Sequence, residues 1–334
     1  MQYKKLSEDT FRLSGVDKSF ANAIRRTLLG NIPVLVLKPE DCTITSNTTR
    51  FTNEIIKSRL ACIPLHHKNI TDSFTVDVSK KNDTADTIYI TTKDFTVNSK
   101  HSLLFPSYSI IEGVKEHIEF IRLKAGEELI LTCNSSVGTA IESGMYNSVG
   151  TCAYGFTQDK EQSEAMFVKS GKSEIDRGDW ECLDAKRFVI KDSFDFVLKT
   201  IGVYSNRELL KIATIVIQSQ LDYCKRSIES SPSITTMENC FDVVITGNYI
   251  LYKHEYEMQG DYTIGKLLEY QIYTRFNRPI TYVAFYKKHP HDKVGILRVA
   301  FPGATIETIK ECVETACNEC ISAMERFKTI IESK

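Results

Sequence analysis

The sequence has no excess of basic residues. Among its 334 residues, 42 are Lys or Arg and 43 are Asp or Glu, which gives a formal net charge of −1. A protein that holds duplex DNA by itself presents a basic face, because much of its affinity comes from releasing the counterions of the phosphates. The overall charge gives no support to such a role, and we expect little or no direct contact with nucleic acid.

Long apolar runs are absent as well. No stretch reaches the roughly 18 consecutive apolar residues that mark a membrane-spanning helix. The N-terminal residues MQYKKLSED are not followed by an apolar run, so a secretory signal is not predicted. We therefore expect a cytoplasmic protein that is not secreted and has no membrane contact.

The sequence also lacks the common signatures of catalysis, such as a Walker loop, a nucleophile elbow or a dinucleotide-binding fingerprint. Of its ten cysteines, Cys317 and Cys320 lie on the apolar side of a predicted helix, where thiols pack as small hydrophobic groups. The close histidine pairs, 66–67 and 289/291, lack a complete set of metal ligands. We predict no catalytic residue, metal or cofactor, and we keep an enzyme with Cys/His chemistry as an alternative.

What the sequence does contain is an α+β pattern that occurs twice. In the first half, a strand at 10–16 precedes a helix with apolar residues at four-residue spacing, and a strand at 188–201 precedes a longer helix that begins near Ser205. After a linker at 230–233, strands and a helix that begins near Gly260 precede a last, long helix. Each half therefore ends in a helix with one apolar side.

Long apolar helix stripes must be covered by something, and we predict that the two halves cover each other. The residues predicted to pair within the chain are Phe20, Ile24, Leu28, Leu210, Ile217, Leu221, Ile264, Leu268, Val313 and Met324. Between the strands of the first half, Thr-, Ser- and Asn-rich runs separate short strands, which is typical of a β-rich inserted domain. The predicted domains are 1–45 plus 166–235, the insert at 46–165, and 236–334.

Several segments resemble the RNA polymerase α family, which includes the bacterial α subunit, its D-type archaeal counterpart and the third-largest subunit of eukaryotic polymerase II. The segment FANAIRRTLL at 20–29 resembles the family's signature helix, and RLACIPL at 59–65 resembles its Arg-Leu-Gly-x-Ile-Pro-Leu motif. LKAGEEL at 123–129 and FDFVLKTIG at 194–202 are similar to strands that flank the family's insert.

The second half resembles a smaller member of the same superfamily, the L-type archaeal polymerase subunit. The similarity is carried by GDYTIGKLL at 260–268 and by His289-Pro290. Lys266 and Glu269 depart from the Asn and Arg that the family usually has. The order of the segments indicates a fusion of a D-like half with an L-like half, an arrangement similar to that of some large DNA viruses.

The resemblance implies a non-catalytic platform that docks the second-largest and then the largest polymerase subunit, together with other small subunits. It also implies that Asn22, Arg25, Arg26 and Arg59 belong to the partner interface. Arg26 is our first choice of the arginine pair, and a solvated helix face is the alternative. Viral origin would place the protein in the host cytoplasm and the virion. A free-standing dimeric adaptor remains a rival interpretation.

Overall fold

The computed structural model describes residues 1–98, 105–110, 114–228, 232–235, 237–258 and 262–333. The chain forms two compact units. The first unit comprises Met1–Leu28, Thr151–Lys199 and Asn206–Lys334, and the second comprises Leu29–Gly150 and Thr200–Ser205. Compact units need not coincide with domains, so the domain boundaries given above stay a prediction. The predicted linker at 230–233 and the helix start near Gly260 fall in part outside the described residues.

The described residues form seven α-helices and twenty β-strands. The helices are α1 (Lys18–Gly30), α2 (Asn53–Ala61), α3 (Lys160–Ser170), α4 (Arg177–Cys182), α5 (Asn206–Ser227), α6 (Tyr262–Arg275) and α7 (Ile306–Glu332). The strands are β1 (Gln2–Lys5), β2 (Thr10–Ser14), β3 (Val34–Val36), β4 (Cys42–Asn47), β5 (Thr75–Lys81), β6 (Ile88–Thr91), β7 (Thr96–Val97), β8 (Ser107–Ile110), β9 (Val114–His117), β10 (Glu119–Leu123), β11 (Glu128–Asn134), β12 (Ser136–Gly138), β13 (Val149–Gln158), β14 (Val189–Thr200), β15 (Pro232–Ile234), β16 (Cys240–Ile245), β17 (Gly247–Leu251), β18 (His254–Met258), β19 (Tyr282–Tyr286) and β20 (Gly295–Ala300). The predicted α+β class is confirmed.

The first unit contains a four-stranded sheet from each half of the sequence. The first sheet has the order β1-β2-β14-β13 and the second has the order β15-β16-β20-β19. The segment 241–258 forms three strands: β16 joins the second sheet, and β17 and β18 form a separate hairpin.

The two sheets repeat the same ion pair at their centres. In the first sheet, Arg12 on β2 lies opposite Asp195 on β14, and its Nε and Nη2 donate to the two carboxylate oxygens at 2.6 and 2.9 Å. In the second sheet, Arg298 on β20 lies opposite Asp242 on β16 and makes the same two bonds at 2.7 and 2.8 Å. Since side chains alternate between faces along a strand, each pair marks the polar face of its sheet. This shared feature supports the interpretation of two related halves.

The long helices α5 and α7 pack against each other in antiparallel directions. Lys211 near the start of α5 pairs with Glu332 at the end of α7 at 3.3 Å, and Lys225 near the end of α5 pairs with Glu314 at 3.1 Å. The α7 residues buried at this and neighbouring contacts are Ile309, Cys312, Val313, Ala316, Cys317, Cys320, Met324, Phe327 and Ile331. They recur at three- and four-residue steps, which keeps them on one side of the helix.

Helix α6 packs on α7 and on strand β19 of its own half. Gly265 of α6 faces the ring of Phe285 on β19, and a Cβ atom built at Gly265 would overlap that ring. Phe285 is buried. The missing side chain at position 265 therefore lets the helix approach the strand closely enough to bury the ring.

The second unit is largely β-structure around a separate hydrophobic core. Its sheet has the order β4-β11-β5-β7, and the pairs β3-β12, β6-β10 and β8-β9 complete the strands. Helix α2 contributes Ile56 and Leu60 to the core, and the central strand β11 contributes Leu129, Leu131 and Cys133. These residues alternate with exposed or half-buried ones along β11, as expected for a strand with one buried face.

We expect Gly265→Ala to destabilise the protein by about 1–3 kcal/mol, because the added methyl group overpacks the Phe285 ring and outweighs the better helix propensity of alanine. Gly178→Ala in α4 is the matched control, since no atom lies within 4 Å of a Cβ placed there. Denaturant unfolding of both variants tests this account. Equal stability of the two variants would contradict the close approach of α6 to β19.

Candidate subunit interface

The ten residues predicted to pair the halves are all buried, with at most 4% of each exposed. They lie on α1, α5, α6 and α7 in the first unit. The ring of Phe20 on α1 meets the ring of Phe327 on α7 edge to face, with centroids 5.8 Å apart. The first-half helices α1 and α5 therefore contact the second-half helix α7 inside one chain.

Cysteines form part of this helical core. Cys224 on α5 and Cys317 on α7 are buried close enough to influence each other, and burial raises the pKa of Cys317 to about 12. Burial likewise raises the pKa of Cys312 to about 12. Thiols with such pKa values stay protonated at neutral pH, so these side chains serve as small hydrophobic groups.

Polar contacts between α6 and α7 flank the core. The side-chain amide of Gln271 donates to the Glu319 carboxylate, and Arg275 pairs with the same carboxylate at 3.1 Å. Because Glu319 lies near the middle of α7, these bonds place the C-terminal part of α6 beside the centre of the long helix. Sequence periodicity gave no signal for Arg275 or Glu319, whereas Gln271 falls on the same side of the helix as Ile264 and Leu268.

Arg25 and Arg26 of α1 make different contacts. Arg25 donates from Nε and Nη2 to the Oδ1 atom of Asn22 at 3.0 and 2.9 Å, one helical turn earlier. Arg26 donates from Nε to the Oγ1 atom of Thr263 on α6 at 2.8 Å. Adjacent helix positions point about 100° apart, which separates the two roles. Arg26 thus joins the two halves, a contact that sequence reasoning missed.

Arg59 belongs to the second unit. It lies on α2 and donates from Nε to the backbone oxygen of Phe120 on β10 at 2.8 Å. The structure thus assigns a local partner to Asn22, Arg25, Arg26 and Arg59. Their assignment to an interface with other subunits stays a prediction.

Glu269, one of the two departures from the family pattern, has a structural role. Its carboxylate accepts a hydrogen bond from the backbone N–H of Phe285 at 2.5 Å and from Lys266 Nζ at 2.6 Å. Strand β19 lies at the edge of its sheet, and an occupied N–H cannot pair with another strand. Both departures, Lys266 and Glu269, therefore belong to one local contact between α6 and β19.

The arrangement of paired helices and sheets agrees with comparisons to known proteins. The sequence profile of the RNA polymerase Rpb3/Rpb11 dimerisation domain matches residues 10–221. The chain belongs to this family. The match ends within α5, so the fusion and the L-like character of the second half stay predictions.

Curated relatives carry the names of polymerase subunits. DNA-directed RNA polymerase subunit Rpo3 of Pyrococcus horikoshii is 25% identical over 246 residues, which cover 65% of this chain and 93% of that protein. Rpo3 of Pyrococcus furiosus is 29% identical over 135 residues, or 40% of this chain and 50% of that protein. The human DNA-directed RNA polymerases I and III subunit RPAC1 is 24% identical over 174 residues, or 43% and 49%. The chain thus spans about half the length of the last two relatives.

Metal-binding clusters and membrane-spanning helices would point to other kinds of site. Within the described ranges, no group of three or more His, Cys, Asp or Glu side chains is arranged to hold a metal ion. No helix in the part of the chain that the structure describes is long and apolar enough to cross a membrane.

We expect Thr263→Val to destabilise the protein by about 1.5–3 kcal/mol, because valine removes the acceptor of a charged donor while keeping the side-chain volume. Thr274→Val is the matched control in the same helix, where the hydroxyl is exposed and bonds only the preceding turn. Chemical denaturation measures both changes. If Thr263→Val were as stable as its control, the Arg26–Thr263 bond would not join the halves.

Proposed function

We propose that this chain is a non-catalytic assembly subunit of a multisubunit DNA-directed RNA polymerase, with both halves of the assembly platform in one polypeptide. The observation that carries the proposal is the antiparallel packing of α5 from the first half against α7 from the second half, in a chain that belongs to the Rpb3/Rpb11 dimerisation-domain family. The names of the curated relatives support its assignment to RNA polymerase.

Pairing within one chain is supported by the contacts that connect the halves. They include the packing of the apolar sides of α5 and α7, the Phe20–Phe327 ring contact and the Arg26–Thr263 hydrogen bond. A separate dimerisation partner would compete with a covalently attached one, whose effective concentration is high. A single fused chain can therefore supply the platform that two subunits form elsewhere in the family.

The docking partners are proposed to be the second-largest and largest polymerase subunits, with further small subunits around them. Arg25 supports a docking role for α1, because its guanidinium lies on a helix that is buried on its other side. Arginine is enriched at interface anchors, where its planar group pairs with carboxylates. Asn22 would then hold the guanidinium in position before docking.

We propose that the protein is located wherever the polymerase itself acts. The fused arrangement favours a virus-encoded enzyme that works in the host cytoplasm and is packaged in the virion. A free-standing dimeric adaptor is the second candidate, since paired helices alone do not require a polymerase.

We expect an affinity-tagged full-length chain, purified gently from its native source, to bring down very large catalytic chains that mass spectrometry identifies as polymerase subunits. Arg25→Glu should reduce their recovery at least about tenfold, because reversing an interface charge costs on the order of several kcal/mol. Its thermal midpoint should stay close to that of the unmodified protein. Arg226→Glu on α5, which reverses the charge of an exposed helix arginine, is the control and should keep full recovery.

Two results would each contradict a different part of the proposal. Recovery of the tagged chain as a small species without large partners would favour the adaptor. Full recovery of the large chains by Arg25→Glu would remove α1 from the docking surface while leaving polymerase membership intact.

A further inference from the structure

Two cysteines of the second unit occupy directly opposed positions on neighbouring strands. The register of β4 and β11 pairs Cys42 with Cys133, next to the pair Thr43 and Thr132. Opposed Cα atoms in an antiparallel ladder lie about 4.5 or 5.5 Å apart, depending on the type of pair. Both separations fall within the roughly 4.4–6.8 Å that a disulfide spans. The register therefore brings the two backbones within reach of a cross-strand bond.

Both side chains are buried in the core of the second unit, and the Sγ atom of Cys133 donates to the backbone oxygen of Lys38 at 3.7 Å. The interaction between the neighbouring thiols lowers the pKa of Cys42 and raises that of Cys133. The positive charge of Lys57 on α2 further lowers the pKa of Cys42. Cys42 is therefore the more acidic thiol of the two, although its own burial opposes the shift.

The other buried cysteines lack this combination. Cys240 on β16 lies opposite Ala300 and so has no thiol across the ladder. Cys224 and Cys317 are near each other on α5 and α7, but burial raises both pKa values, so neither supplies a thiolate at neutral pH. The pair on β4 and β11 combines opposed strand positions with a thiol whose pKa is lowered.

We propose that Cys42 and Cys133 form an oxidation site, at which hydrogen peroxide converts the two thiols into a reversible cross-strand disulfide. The Cys42 thiolate attacks one peroxide oxygen, the O–O bond breaks, and the leaving hydroxide takes a proton to become water. The resulting sulfenic acid is attacked by the Cys133 sulfur, the S–O bond breaks as the S–S bond forms, and the Cys133 proton leaves with the oxygen as a second water. Two thiols and one peroxide thus give one disulfide and two waters.

The bond would change the stability of the second unit. It closes a long loop that contains α2 and strands β5 to β10, and cross-linking a long loop removes conformations from the unfolded chain. The β-rich unit would therefore be more stable when oxidised. Reduction by a small dithiol would return it to the thiol form.

The experiment treats the purified full-length chain with hydrogen peroxide under native conditions, then denatures it, alkylates the remaining thiols and maps disulfides by mass spectrometry. Digestion must cut after Glu142, so that Cys133 and Cys152 fall on different peptides. We expect a Cys42–Cys133 cross-linked peptide, loss of alkylation at those two positions, and a higher thermal midpoint. Dithiothreitol should reverse all three changes.

Cys42→Ser and Cys133→Ser should each abolish the cross-link and the rise in the midpoint, whereas Cys240→Ser should retain both. A parallel sample oxidised in denaturant controls for random pairing and does not depend on the variants folding. A cross-link that forms only in denaturant, or sulfinic acid at Cys42 without a cross-link, would overturn the proposal.

Discussion

The burial of one apolar side of α7 is the constraint on which the first unit depends. This side is longer than any single neighbouring helix of its own half can cover, because α6 has 14 residues and α7 has 27. Helix α5 of the first half supplies the remaining cover, and α1 adds the ring of Phe20. Each half on its own would expose an extended apolar surface, which soluble proteins avoid unless a partner covers it. The pairing of the halves follows from this mismatch in length.

Polar contacts determine the direction in which α5 and α7 pack, which their apolar sides alone would not determine. The pairs Lys211–Glu332 and Lys225–Glu314 fix the antiparallel direction of α5 and α7, although exposed ion pairs each contribute little to stability. The Arg26–Thr263 bond is shielded further, because Thr263 is 5% exposed. These contacts therefore determine how the helices are arranged more than they contribute to the total free energy of folding. The two sheets are organised in the same way. Apolar residues form the buried face of each sheet, and the Arg12–Asp195 and Arg298–Asp242 pairs lie on the opposite face.

The sequence predicted features that depend on local periodicity and missed those that depend on tertiary approach. The apolar stripes of α5 and α7 and the α+β class could be predicted, since each is expressed in residue spacing. The acceptor of Arg26 could not, because Thr263 lies far away along the chain and its place in the GDYTIGKLL segment does not reveal its partner. The need for glycine at position 265 arises only when the Phe285 ring packs against α6. Likewise, the pairing of Cys42 with Cys133 depends on the strand register, which the alternation of residues leaves undefined.

The most direct test of the pairing between halves is a double-mutant cycle on Phe20 and Phe327, with free energies of unfolding measured for both single variants and the double variant to alanine. The account predicts a coupling free energy of about 0.5–1.5 kcal/mol, as expected for aromatic rings in contact. A parallel cycle that combines Phe20 with Phe167, which packs against Trp180 in a separate cluster, should be additive within about 0.5 kcal/mol. An additive result for Phe20 and Phe327 would contradict the contact between the first-half helix and α7.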